Sequence, residues 1–137
     1  NKDKMHNFRK LDTWLDGVEL ADTIYTLTAS FPKTEIYGLS SQMQRAAVSV
    51  PSNIAEGSGK GSDRDFARFL SISLGSLFEL ETQIEIAYRR GYISTENYYA
   101  LRPRIESLQK RIYNLRVHLA PDLDAMPATS ATSAKTF

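Results

Sequence analysis

The 137-residue chain contains no cysteine. Disulfides, thiolate metal sites and cysteine nucleophiles are excluded together, and a cytoplasmic location is expected. No run of about eighteen apolar residues occurs, so no helix is expected to span a membrane. The N-terminus is polar and has no apolar signal region; Met5 is a candidate natural start, which would make residues 1–4 an addition. Histidine is scarce. His6 and His118 stand alone, without the Glu-x-x-His spacing that would build a metal site inside a helical bundle. Nor does any nucleophile–base–orienter set appear. No catalytic residue, metal or cofactor is therefore expected, and the chain reads as a non-enzyme. Period-two alternation of useful length is also missing, which leaves strands without a signal.

Excess charge is lacking as well. The net charge is +1, too small to attract nucleic acid globally. Its distribution is more telling. Asp12, Asp16, Glu19 and Asp22 are unopposed between residues 12 and 30, whereas Arg102, Arg104, Lys110, Arg111 and Arg116 face only Glu106 between 102 and 118. An acidic face and a basic face follow.

Helical periodicity is abundant. Leu11, Trp14, Val18, Ala21 and Tyr25 predict a first helix over residues 10–29 that spans Gly17 and ends at Phe31-Pro32. A second helix is predicted over 34–56, opened by Pro32 and buried through Leu39, Met43, Ala46, Val50 and Ile54. Pro51 lies within it, and the apolar stripe stays in phase across it, which favours one long kinked helix over two short ones. Gly57, Gly59 and Gly61 are read as the following turn. GSGKGS at 57–62 fails the phosphate-loop pattern, because Ile54 and Gly61 stand where glycine and Ser or Thr are needed.

The third helix has Ser62 and Asp65 at its start, Gly91 after its end, and Phe66, Leu70, Ser73, Leu77, Leu80, Ile84 and Ala87 in a three-four seam. Ser94 caps the fourth, whose seam is Tyr98, Leu101, Ile105, Leu108, Ile112, Leu115 and Leu119; Pro103 predicts a second kink. The expected fold is all-α, an up-down four-helix bundle over residues 1–120 with a flexible tail over 121–137.

Three groups of residues are left over. Gln42, Arg45, Ser49, Asn53 and Glu56 form a polar ridge beside the apolar stripe of the second helix. They are suited to pairing within or between subunits, to satisfying backbone near Pro51, or to holding a ligand. Leu74 and Phe78 on one flank of the third helix, with Ile72 and Ile86 on the other, are either a broad core face or a subunit interface. Arg104, Arg111 and His118, seven apart, are candidate phosphate contacts, or else a solvated face paired with acids of the first helix.

The segment Gln42-x-x-Arg45-Ala46-x-x-Ser49-Val50-Pro51-x-Asn53-Ile54-Ala55-Glu56-Gly57 resembles the signature of the bacterial 23S rRNA-intervening-sequence protein family. Phe66-x-x-Phe69-Leu70-x-Ile72-x-x-Gly75-Ser76-x-x-Glu79-Leu80-Glu81 resembles its second block. This resemblance implies a four-helix bundle with a kinked second helix, assembled as a homopentamer. A related group, the accessory variability determinants of diversity-generating retroelements, binds nucleic acid and a reverse transcriptase. The resemblance thus implies a non-enzymatic accessory protein that partners itself, and RNA or DNA with a nucleic-acid enzyme. The alternative is a protein-interaction scaffold without a nucleic-acid role.

Overall fold

The computed structural model describes residues 7–125, and all four expected helices are present: α1 (Asp12–Thr28), α2 (Leu39–Ser58), α3 (Asp63–Arg89) and α4 (Thr95–Leu119). No strand occurs among the described residues. Helix α2 packs between α1 and α3, and α4 lies along α3 and touches α1 lightly. Phe66, Leu70, Leu77 and Leu80 of α3 meet Met43 and Ile54 of α2, Leu20 and Ile24 of α1, and Leu108 and Ile112 of α4 in one core.

Local chemistry sets the boundaries. The Ser62 hydroxyl accepts from the Asp65 N–H at 3.1 Å, and the Ser94 hydroxyl accepts from the Asn97 N–H at 3.1 Å. Each thereby satisfies an otherwise orphaned donor at a helix start. At the end of α3, Gly91 takes φ +79° while Tyr92 N–H donates to Ala87 O and Gly91 N–H to Tyr88 O, both at 2.9 Å. That pairing is the six-to-one and five-to-two closure in which glycine is favoured.

The start of α2 and the buried face of α1 both differ from expectation. The second helix does not begin near Thr34: residues 33–35 form a short 3-10 turn, and α2 starts at Leu39. Its first turn is capped by a side chain from outside the helix, with Glu35 Oε1 accepting from the Leu39 N–H at 3.0 Å. A carboxylate four residues upstream replaces the Ser or Asp that usually marks a start. In α1 the buried face is Thr13, Gly17, Leu20, Ala21, Ile24 and Thr28, whereas Val18 and Tyr25 are exposed. The large side chains misled by one residue, or about 100° of helix. Gly17 explains the rotation: a Cβ there would lie 3.3 Å from Pro51 Cβ, so α1 turns its small residues toward α2.

Helix α2 runs unbroken through Pro51. It also extends past Glu56, so Gly57 is a buried helical residue and not part of a turn. Beyond α4, Pro121–Ala125 form a 3-10 helix tied to α3 by Arg64 Nη1–Asp122 Oδ2 at 2.9 Å. The polar tail expected from residue 121 thus has a structured beginning; residues 126–137, like 1–6 with His6, lie outside the described residues.

Candidate functional site

The polar ridge of α2 divides into an inner and an outer part. Ser49 and Asn53 face α3. Asn53 Nδ2 donates to Ser49 O at 2.8 Å and to Ser49 Oγ at 2.9 Å, and Ser76 Oγ donates to Ser49 Oγ at 2.8 Å. One turn deeper, the buried Ser73 Oγ donates to Val50 O at 2.8 Å. These hydroxyls fix the antiparallel register of α2 on α3 and leave no orphan among themselves, as buried polar groups require. Asn53 braces the carbonyl of Ser49; the carbonyl deprived of its donor by Pro51 belongs to Ala47.

The outer part is unsatisfied. The side chains of Gln42, Arg45 and Glu79 make no hydrogen bond or ion pair with any described residue. The register set by Ser49 and Ser76 brings Arg45, one turn before Ser49, level with Glu79, one turn after Ser76. An unpaired cation on α2 and an unpaired anion on α3 therefore share one outer face. Arg45 does not pair with Glu56 of the same ridge, whose Oε2 instead meets Lys60 Nζ at 3.7 Å. Glu81, also on α3, is occupied elsewhere: its Oε1 accepts from Gln109 Nε2 at 2.7 Å.

The same face holds Ile72, 51% exposed, and Gly75. A Cβ on Gly75 would meet nothing within 4 Å, so close packing inside the chain does not require it. A glycine in a helix interior costs about 1 kcal/mol relative to alanine. Here that cost serves no contact among the described residues.

The other interface candidates separate from Ile72. Leu74 and Phe78 line an α3–α4 groove of about 370 Å³ with Tyr113 and Lys110. Ile86 borders a second α3–α4 groove of about 450 Å³ with Glu85, Arg89, Tyr98 and Arg102. In that second groove the Tyr98 hydroxyl donates to Glu85 Oε1 and Arg89 Nε donates to Oε2 at 2.9 Å. The Tyr98 bond, then the Arg89 bond, lowers the Glu85 pKa, and the same carboxylate raises that of Tyr98. No group of three or more ligand-type residues suited to a metal occurs among the described residues.

The basic stripe is largely answered by α1. Arg111 Nη2 lies 2.6 Å from Asp16 Oδ2 and its Nη1 lies 3.3 Å from Asp12 Oδ2. Arg104 donates to Thr23 Oγ1 at 3.2 Å, while His118 is exposed on the last turn of α4. Acidic and basic faces read separately from the sequence thus meet each other. No described helix is long and apolar enough to cross a membrane.

Comparison with known proteins gives two findings. The family model described as 23S rRNA-intervening sequence protein matches residues 9–114. A crystal structure of a protein of unknown function from the S23 ribosomal protein family of Bacteroides thetaiotaomicron VPI-5482 is similar in fold, with a TM-score of 0.68 and 24% identity over 76% of this chain and 97% of that one. No curated protein matches the chain.

Proposed function

Because the chain belongs to the 23S rRNA-intervening sequence protein family, we propose that it acts as a non-catalytic, self-assembling interaction module. The outer α2–α3 face is its subunit interface. One observation carries the reading: this face sets the unpaired Arg45 and Gln42 beside the unpaired Glu79, around an exposed Ile72 and a helix-interior Gly75 with open space above it. Arg45 on α2 and Glu79 on α3 give the face two complementary edges, so the α2 edge of one copy can meet the α3 edge of the next in a head-to-tail contact of the kind that closes into a ring. Gly75 lets a partner helix approach the backbone, and Ile72 supplies apolar area. Five copies, as the family resemblance implies, would close such contacts into a ring.

Phosphate contact through Arg104, Arg111 and His118 has weaker support, because Arg111 would first have to leave two carboxylates. A scaffold role without that contact needs no such rearrangement.

Gly75→Leu tests the interface without threatening the fold. Leucine is the better helix former by about 1 kcal/mol, and the start of its side chain enters open space. The expected result is an unchanged or raised melting temperature together with loss of assembly mass by light scattering. Retention of the full mass at micromolar concentration would refute the assignment.

A further inference from the structure

Helix α1 is apolar on two sides. Its inner side, with Leu20, Ala21 and Ile24, belongs to the core. On the opposite side Leu15, Val18 and Tyr25 are 49%, 41% and 49% exposed. A helix that covers one side of a core ordinarily turns charge toward solvent there. Together with the half-buried Leu11 and with Asp22, these residues follow one another at steps of four, three, four and three. At 100° per residue all five fall within about 40° of the pole opposite Leu20. That alternation is the seam one helix presents to another. Near the end of α1 the apolar area widens onto α2, where Tyr25 and the exposed Val48 line a groove of about 410 Å³ with Gln44 and Arg45.

Charge decides what can cover this seam. From Asp12 to Ser30 the chain carries four acids and no base. Arg111 holds Asp12 and Asp16. Asp22, inside the seam, and Glu19, on its flank, form no ion pair with a described residue. Arg104 lines grooves with both, but its guanidinium donates to Thr23 Oγ1. A second copy of α1 does not fit. In parallel it would set Asp22 against Asp22, and antiparallel about Val18 it would set Asp22 against Leu15, leaving a carboxylate on hydrocarbon. Phosphate-rich surfaces, whether lipid or nucleic acid, are repelled by the same two acids. A helix of another protein, with its own apolar seam and a lysine or arginine level with Asp22, meets every requirement. One polar residue in such a seam also fixes the register of the pair.

We infer that the outer seam of α1 is a docking surface for a basic amphipathic helix of a different protein. Its apolar residues seat between Leu15, Val18 and Tyr25, and its cation pairs with Asp22. This inference rests on the reading of the chain as an interaction module, but not on its self-assembly through the outer α2–α3 face. The seam runs over about 20 Å of helix, so one contact is weak, and several copies held together would multiply it.

The test uses the full chain and two fluorescein-labelled three-heptad peptides in anisotropy titrations. Both carry leucine at the four-three spacing; lysine flanks it in one and glutamate in the other, and like-charged flanks keep each peptide from pairing with itself. The lysine peptide should bind at micromolar concentration, and the glutamate peptide about tenfold more weakly or less. Asp22→Lys should invert that preference, whereas Asp22→Glu should keep it. Leu15→Ser with Val18→Ser should weaken the lysine peptide by about tenfold or more and leave the melting temperature in place, since both side chains are exposed. Absence of lysine-peptide binding at about 200 μM overturns the inference. So does a preference that Asp22→Lys fails to invert, or binding that the paired serine substitutions leave intact. A fall in assembly mass of that serine variant without peptide also overturns it, by making a second copy the occupant. Because the charge exchange of Arg45 with Glu79 is measured separately, failure here leaves the α2–α3 interface standing.

Discussion

Gly57→Val is expected to cost about 3 kcal/mol of folding stability, the upper part of the range for overpacking a filled core. For a chain of this size the melting temperature should fall by roughly 10 °C. The cause is steric. A Cβ at position 57 would sit 2.6 Å from Phe69 Cβ, 3.1 Å from Phe66 Cδ1 and 3.3 Å from the Phe66 carbonyl oxygen. The nearest of these atoms is anchored directly to the α3 backbone and cannot swing aside as a side-chain tip could. Valine adds two methyl groups to that crowding, so α2 and α3 must separate where Phe66 is buried at the heart of the core. Gly57→Ala should lose less, since a helix-propensity gain of about 1 kcal/mol opposes the clash. Gly75→Ala supplies the contrast, with the propensity gain and no clash, and should be neutral or stabilising. Thermal and urea melts followed by circular dichroism separate the three.

Arg45→Glu is expected to disrupt assembly by placing a second carboxylate beside Glu79 on the face proposed to join subunits. Like charges across an interface cost several kcal/mol, so association should weaken by at least a hundredfold. Glu79→Arg should act in the same direction. The decisive variant is the double exchange, Arg45→Glu with Glu79→Arg, which restores opposite charges and should recover most of the lost association. None of the three should alter the monomer's stability by much, because neither residue has a partner among the described residues. Sedimentation velocity across a dilution series reads each effect. Additive losses in the double variant would show that the two residues do not meet across copies.

The elements of this fold were legible wherever burial is simple. All seven seam residues of α3, Phe66 through Ala87, are buried, and Ser62 and Ser94 cap their helices through the expected hydroxyl bonds. Periodicity failed in α1, where apolar size pointed to Val18 and Tyr25 although the buried face is built on Thr13, Gly17 and Thr28. Thr28 is tolerated there because its hydroxyl donates to Ile24 O at 2.8 Å and accepts from Gln44 Nε2 at 3.0 Å. A binary apolar pattern gives no warning of a threonine so satisfied. The start of α2 was missed for a related reason: its cap, Glu35, comes from a separate turn.

The candidate site was half legible. The ridge from Gln42 to Glu56 was visible as spacing, but only the Ser49–Ser76 hydrogen bond reveals which members serve the chain itself and which remain unpaired. Gly75 was visible only as a member of the second family block, and its neighbours had to be placed before the space above it was seen to be empty.

The central claim is that the outer α2–α3 face joins copies of the chain, and the mass of the protein in solution tests it most directly. Sedimentation equilibrium between about one and one hundred micromolar should give a constant multiple of 15.4 kDa, five copies being the number implied by the family resemblance. A species of 15.4 kDa throughout that range would contradict the account, leaving Arg45, Glu79 and Gly75 as unpaired surface with no partner copy to meet.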